Sequence, residues 1–585
     1  MEPVTIRHFW RSQQTLGLIW VVFLFFVLES HQTFGQNSVA RMVLKNGNIF
    51  TVDESRPRAE SIAISGDRII AVGSNQAIEK YIGAETRIID LDGKFVMPGF
   101  IEGHAHFVGL GELQMMLQLQ AARSWQEIVK QVEAATKVTP PGEWIIGRGW
   151  HQSKWDSAPV DNVDGYPTRA AMDKISPNHP VLLEHASGHM SFANGYALKL
   201  AGVNNSTQNP KGGEILKDEN GAPIGVFRET ASALIERIHS QAVAQKSIEE
   251  RAEYLARAVE LASLECQKKG VTSFQDAGSS LSMVEKLKAF AEKGKLGVRL
   301  YVMIRDQNRL MEGKLARYKT IGHANHFFTC RSLKRSIDGA LGPHGAWLLA
   351  PYTDLPSSAG LNTASVESVR KTAELGIQNG FQVCVHAIGD RANREVLDIY
   401  EDLFQANRSS IPRRWRIEHA QHLDPADIPR FSDLGVIASM QGIHCTSDAI
   451  FVPKRLGMRR SQEGAYVWQS LMKSGAVVTN GTDAPVEDVN PIASFYSSIT
   501  RKMKDGRAFF PEQVMSREQA IRSYTIDCAY SAFEETLKGS LVRGKLADLV
   551  VLSNDLITCP IDEVPKTKVL MTMIGGKLVY QSNLE

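Results

Sequence analysis

The chain has 585 residues, which is too long for one ordinary hydrophobic core but suits a barrel with an appended domain and an insertion. Hydrophobic residues make up 43% and charged residues 22% of the chain, as in a soluble globular protein. A net charge of only +2 gives no basic footprint, so we expect no nucleic-acid partner. The six cysteines have no paired spacing, which argues against a zinc knuckle or a disulfide framework and predicts buried free thiols.

An uncharged hydrophobic segment, Leu16–Leu28, follows Arg7 and Arg11 near the N-terminus. Its length is typical of a signal peptide and shorter than the roughly 20 residues of a membrane span. We expect 1–38 to direct the chain to the endoplasmic reticulum and its perinuclear membrane, either as a cleaved signal peptide or as an uncleaved anchor. Both alternatives stay open. In a lumenal protein the following sequons would be glycosylation candidates: Asn204, Asn205 and Asn407.

Both ends of the remaining chain have the pattern of short β-strands. Apolar runs in 39–97 alternate with turn dipeptides such as Asn46-Gly47 and Gly66-Asp67. The C-terminal segment 540–585 repeats this pattern. We expect the two pieces to pair into one small β-sandwich-like domain.

The segment between them, 98–539, contains eight short apolar runs, most of them followed by a helical pattern. This alternation predicts an α/β fold, a (β/α)8 barrel whose active site lies at the carboxyl ends of the strands. The gap of about 109–269 after the first strand is too long for one crossover helix, and we interpret it as an inserted lid domain. The predicted barrel strands are 95–101, 270–274, 297–304, 331–337, 381–386, 414–418, 435–440 and 476–480.

Metal-competent side chains follow several of these runs. His104 and His106 are one residue apart at a strand end, so they would share one face of the strand and could hold one metal ion. Alone, the pair is weak evidence, because two surface or packing histidines at a strand end are the simpler interpretation. His386, His419 and Asp483 each come directly after another apolar run, which strengthens the metal interpretation. Buried core histidines, and a helix N-cap for Asp483, remain the alternatives.

Five motifs stand out in the chain: Pro98–His106, Leu333-Lys334 with Asp338–Gly342, Val385–Asn393, Arg416–Gln421 and Gly481–Pro485. Together they resemble the amidohydrolase superfamily and, more narrowly, its third large family, the N-substituted formamide deformylase-like branch. The resemblance extends from residue 40 onward. It implies an enzyme, a metal-dependent hydrolase that cleaves a carbon–nitrogen bond other than a peptide bond in a small-molecule amide, N-acyl or N-formyl compound.

The resemblance also implies roles for individual residues. His104 and His106 would bind one divalent ion together with Asp483, which would also be the catalytic proton acceptor. His386 and His419 would bind a second ion, and Lys334, once carboxylated, would bridge the two. We therefore expect one or two ions. Zinc suits a mixed histidine and carboxylate site with open positions, although the ligand types also fit iron and manganese.

Substrate recognition is less clearly marked. His189, Gln441 and His444 are predicted to contact substrate, with a structural role as the open alternative. Four residues depart from the family pattern without being predicted ligands: Glu102, His151, His344 and Gly442.

A second function class also remains open. With its hydrophobic leader, the chain resembles a plant member of the family that is associated with phytochrome A and far-red light signalling. The chain could thus be a signalling or trafficking component that keeps the fold as a binding module. Two further partners are compatible with the sequence. The chain could pair with a second copy of itself as a homodimer, and an uncleaved leader would attach it to a membrane.

Overall fold

A computed structural model describes residues 39–152, 155–185, 190–210, 212–409 and 412–582. The predicted leader, 1–38, and His189 lie outside these ranges. Within them, no helix combines the length and the apolar character that crossing a membrane requires.

Eight parallel strands form a nearly closed barrel, and each pairs with the next along the chain. Each overlaps one predicted strand, so the α/β barrel prediction is confirmed. A short additional strand, Thr320–Gly322, pairs antiparallel with the fourth barrel strand. In chain order, barrel strands 1 to 8 are Phe100–Ala105, Val271–Ser279, Arg299–Ile304, Phe328–Ser336, Gln382–Ala387, Arg416–His419, Ile437–Gln441 and Val478–Gly481.

The longer helices around the barrel have an apolar stripe that is buried against the rest of the fold. Helix Asp390–Ala406, for example, buries Val396, Leu397, Tyr400 and Leu403, which share one face at helical spacing. The helices after barrel strand 2 are Leu281–Glu292, Asn308–Met311, Leu315–Tyr318, His323–His326, Val366–Asn379, Asp390–Ala406, Ile428–Leu434, Gly442–Asp448, Val452–Leu456, Met458–Gly464, Trp468–Lys473, Pro491–Thr500, Arg517–Ser523 and Ile526–Ser531.

The first predicted strand, 95–101, is wrong in its bounds. Phe95–Pro98 belongs to the small domain, and barrel strand 1 begins at Phe100. The chain passes from one sheet to the other at Gly99, where a Cβ would lie 2.1 Å from Cγ2 of Thr272. The apolar run is continuous because both strands are buried, so the sequence pattern carries no mark of the crossing.

Both chain ends build the small domain, as predicted. Two sheets pack on a shared apolar core that includes Leu44, Ile64, Val96, Leu549 and Met573. One sheet consists of Met42–Lys45, Ser61–Ser65, Arg68–Gly73 and Arg87–Asp90. The other consists of Asn48–Phe50, Arg58–Ala59, Phe95–Pro98, Leu549–Leu552, Val569–Ile574 and Lys577–Gln581.

The segment between barrel strands 1 and 2 forms a separate sheet with its own core around Trp125, Trp150 and Phe192. Its six strands are Leu117–Gln118, Ile145–Trp150, Val181–His185, Met190–Ala193, Gly213–Lys217 and Pro223–Glu229, and Asn162–Val163 pairs with Tyr166–Pro167. The accompanying helices are Phe107–Met115, Trp125–Thr136, Ala170–Ile175, Gly195–Ala201, Ala233–Gln245 and Ile248–Lys268. The predicted insertion is therefore present.

The last of these helices returns the chain to the barrel. Ile248–Lys268 begins at a capping box formed by Ser247 and Glu250. It packs closely on Phe107–Met115, the helix that follows barrel strand 1. Gly111 permits this approach, since a Cβ there would lie 1.9 Å from the carbonyl oxygen of Ala258.

The gap between barrel strands 1 and 8 is closed by side-chain and backbone hydrogen bonds. The Asp483 N–H donates to the His104 carbonyl at 2.8 Å. Oε1 of Glu102 accepts the Thr482 N–H at 2.7 Å. Gly481 is required at this junction, since a Cβ there would lie 2.4 Å from Oε1 of Glu102. Closure therefore places His104 beside Asp483.

A buried ion pair attaches the small domain to the barrel. Nε and Nη2 of Arg299 donate to the Asp548 carboxylate at 2.7 and 3.0 Å, and both side chains are almost fully buried. The same carboxylate accepts the Gly575 N–H at 2.7 Å. Asp548 thus connects the start of barrel strand 3 to the C-terminal hairpin.

Asp548→Asn should strongly destabilise the protein. The change leaves Arg299 buried without a counter-ion, which typically costs about 3–5 kcal/mol of unfolding free energy. Urea denaturation followed by circular dichroism measures this loss. The control is Glu285→Gln, which removes the partner of Arg317 in an exposed ion pair and should have little effect. Equal unfolding midpoints for the two variants would contradict the proposed anchoring.

Candidate metal centre

An open pocket of about 380 Å³ lies at the carboxyl ends of the barrel strands. All six predicted metal ligands line it, together with four residues to which the sequence analysis gave no such role. Those lining residues that the structure describes all belong to the barrel or its strand-end loops, so the role of the insertion as a lid stays a prediction. The lining comprises His104, His106, Arg305, Lys334, Ser336, Asp338, Thr363, His386, His419 and Asp483.

Three ligand atoms converge on one side of this pocket. Oδ1 of Asp483 lies 3.6 Å from Nε2 of His104 and 3.3 Å from Nε2 of His106. Ligands of a tetrahedral zinc ion, at 2.0–2.1 Å from the metal, are separated by about 3.3 Å. The spacing of the three atoms therefore suits a single small divalent ion.

Unpartnered polar atoms in the pocket also fit a metal. Oδ1 of Asp483 and Nε2 of His386 are buried, and neither has a hydrogen-bond partner among the described residues. Leaving such groups unpaired is costly unless a ligand satisfies them. The donor set, imidazole nitrogens and carboxylate oxygens, is one that divalent transition metals prefer.

Burial keeps the histidines in the form that binds metals. Burial, reinforced by the charge of Lys334, lowers the pKa of His104 to about 4 and that of His386 to about 3. Burial and the neighbouring His386 lower the pKa of His419 well below its usual value. All three are therefore neutral imidazoles at neutral pH, as a metal ligand must be.

A buried ion pair between Arg416 and Glu418 fixes the orientation of His104. The sequence analysis did not predict this role for the pair. Nδ1 of His104 forms a hydrogen bond with Oε2 of Glu418, and this leaves Nε2 facing the pocket. Nε and Nη2 of Arg416 donate to the same carboxylate at 2.6 and 2.9 Å. The available signal was two opposite charges at alternate positions of a buried strand.

Lys334 projects into the pocket from barrel strand 4. It is buried, and its Nζ lies 3.5 Å from Nε2 of His104. Burial lowers the pKa of this ammonium, although the charges of Glu418 and Asp483 oppose the shift. The neutral amine that burial favours is the form that reacts with carbon dioxide, so the environment suits the predicted carboxylation.

His386 lies against both Asp338 and His419. Its Nε2 is 3.6 Å from Oδ1 of Asp338, and its ring centroid is 4.4 Å from that of His419. The backbone N–H groups of Ile388 and Gly389 donate to the Asp338 carboxylate, whose pKa burial raises to about 7. Asp338, absent from the predicted site, therefore holds the loop after barrel strand 5 in place.

Gln441 and His444, predicted to contact substrate, are both close to His419. Oε1 of Gln441 accepts a hydrogen bond from Nδ1–H of His419 at 2.8 Å. Gln441 therefore contacts a predicted metal ligand, and its contact with substrate stays a prediction. His419, His444 and Asp483 form a second metal-competent group, in which Nε2 of His444 is buried and unpartnered among the described residues. Neither metal-competent group includes His386.

The four departures from the family pattern lie outside these metal-competent groups. Glu102 closes the barrel as described above. Gly442 is required, because a Cβ there would lie 2.2 Å from Oγ of Ser498. His344 pairs with Asp354 at 3.1 Å, and His151 lies in the insertion.

Comparison with known proteins adds independent evidence. The sequence profile of the amidohydrolase family matches residues 87–580 of this chain. Protein LONG AFTER FAR-RED 3 of Arabidopsis thaliana is 35% identical over 558 residues, which cover 93% of this chain and 92% of the relative. N-substituted formamide deformylase of Arthrobacter pascens is 26% identical over 567 residues, which cover 92% of this chain and 98% of that protein.

A solved structure has the same fold. An uncharacterized metal-dependent hydrolase from Pyrococcus furiosus aligns with a TM-score of 0.69 and 26% identity, covering 88% of this chain and 100% of that one. The sequence resemblance is therefore confirmed. The chain belongs to the amidohydrolase family.

Proposed function

We propose that the protein is an enzyme that hydrolyses a carbon–nitrogen bond in a small amide, N-acyl or N-formyl compound. The observation that carries this proposal is the convergence of His104, His106 and Asp483 in an open pocket at the strand ends. The relative from Arthrobacter pascens is named for deformylation of N-substituted formamides, which supports this bond class.

One or two zinc ions are the proposed cofactors. His104, His106 and Asp483 would hold the first ion, and His386 and His419 the second, with carboxylated Lys334 between them. A divalent ion there would supply a Lewis acid and make a water molecule nucleophilic at neutral pH.

Asp483 is the proposed proton carrier. Burial alone would raise its pKa, but its contacts with His106 and His104 hold that pKa well below the usual range. The carboxylate is therefore ionised at neutral pH. The carboxylate lines the pocket, where it can accept a proton from the attacking water and return it to the leaving nitrogen.

A role in far-red light signalling is the second candidate, supported by the name of the Arabidopsis relative. A binding module would need no metal ligands, whereas this pocket keeps all six predicted ones. The two proposals thus differ in metal content, and a purified protein without near-stoichiometric metal would favour the binding module.

Replacing both His104 and His106 with Asn should abolish tight metal binding and hydrolysis, because two of three converging ligand atoms are lost. Metal content by plasma mass spectrometry and turnover of an N-formyl amine measure the effect, and circular dichroism should show a folded barrel. The control is His323→Asn, which changes a surface histidine paired with Glu292. If the double variant kept its activity, the proposed centre would be wrong.

Lys334→Ala should remove one metal ion and most activity, because the bridging anion between two cations is lost. A short carboxylic acid in the buffer should restore part of the turnover by replacing that anion. The control is Lys538→Ala, which removes another buried lysine, bonded to Ser273 near the opposite end of the barrel. A Lys334→Ala protein with two metals and full turnover would show that the lysine bridges nothing.

A further inference from the structure

Arg305 lines the pocket and has no role in the proposed hydrolysis. It directly follows barrel strand 3, and its N–H donates to the Ser279 carbonyl at 2.8 Å. The side chain is exposed, and Nη2 reaches Oγ of Ser336 at 3.4 Å. A guanidinium therefore forms part of the wall of the pocket.

A glycine makes room for this arginine. A Cβ at Gly278 would lie 2.7 Å from Cδ and 2.8 Å from Cβ of Arg305, and Gly278 has a φ of +139° that side-chain-bearing residues rarely adopt. The pairing of barrel strands 2 and 3 is also irregular here, between Asp276 and Ser279. The bulge and the glycine together set the path of the Arg305 side chain.

The guanidinium has no anionic partner in the part of the chain that the structure describes. Arg430, by contrast, forms an ion pair with Asp398. Around Arg305 the pocket instead offers the hydroxyls of Ser336 and Thr363. An arginine with hydroxyl neighbours is a common arrangement for binding a carboxylate in bidentate geometry.

Arg305 also lies on the side of the pocket away from Asp483, next to the strand that carries Lys334. In an eight-stranded barrel, strand 4 is diametrically opposite strand 8, and Arg305 follows strand 3, beside strand 4. Asp483 follows strand 8. A substrate whose reacting carbonyl lies near Asp483 would therefore extend its other substituent toward Arg305.

We propose that Arg305 binds a carboxylate of the substrate, and that the substrates are N-acylated amino acids rather than neutral N-acyl amines. This inference rests on the proposed hydrolase function and assigns its substrate class. Arg305 would set specificity, with Ser336 and Thr363 completing the contact.

Two probes test the inference because they differ only in a carboxylate: racemic N-formylphenylalanine and N-formyl-2-phenylethylamine. The wild-type protein should have a higher kcat/KM for the acid, and Arg305→Met should reduce that preference by about 10- to 100-fold, the worth of a charged hydrogen bond. Arg305→Lys should keep part of it. The control is Arg309→Met, an exposed arginine bonded to Gln307, which should keep all of it.

Dissociation constants for both probes, measured by calorimetry, separate this inference from the proposed function. If neither probe is hydrolysed, the choice of amide substrates is wrong, but tighter binding of the acid that Arg305→Met abolishes would still support the carboxylate subsite. Equal affinity for both probes, or a preference that Arg305→Met leaves unchanged, would overturn it.

Discussion

The buried Arg416–Glu418 pair is the interaction on which the candidate centre depends. Its guanidinium donates to the Gly103 carbonyl on barrel strand 1, to Oγ of Ser439 on strand 7, and to Gln275 on strand 2. Burying two charges costs desolvation energy that their attraction only partly returns, so stability alone does not account for the pair. Its effect is positional. Burial would raise the pKa of Glu418, but Arg416 and His104 hold it well below the usual range, and the resulting carboxylate fixes the His104 ring.

The closure of the barrel extends this positioning to the other ligands. The hydrogen bonds between barrel strands 1 and 8 bring Asp483 to His104, and they require a glycine at position 481. His419 and Asp483 have φ values of 76° and 57°, in the left-handed region that most side chains avoid. Such strain persists only where the surroundings enforce it and is concentrated at functional sites. Two of the predicted ligands therefore lie on strained backbone, although other residues with positive φ, such as Val52, lie elsewhere in the chain.

Much of this could be predicted from the sequence. Each barrel strand is a short apolar run, and His386, His419 and Asp483 lie at or just after strand ends, where the chemistry of such barrels is located. Other features depend on three-dimensional contacts that no local pattern records. In the sequence, nothing distinguishes Glu418 from other acidic residues. Its role becomes visible only in the fold, where barrel strand 1 places His104 against it. The crossing at Gly99 is hidden within one apolar run, and the proximity of His444 to Asp483 arises only when strands 7 and 8 pair.

The measurement that tests the account most directly is a chelator-competition titration of zinc with wild-type protein and with Glu418→Gln. This change keeps the size of the side chain but removes the charge that orients His104. The account predicts near-stoichiometric, tight zinc binding by the wild type and about 10- to 100-fold weaker binding by the variant, the usual effect of losing an outer-shell partner. A wild-type protein that binds no zinc, or a variant that binds it equally well, would contradict the account.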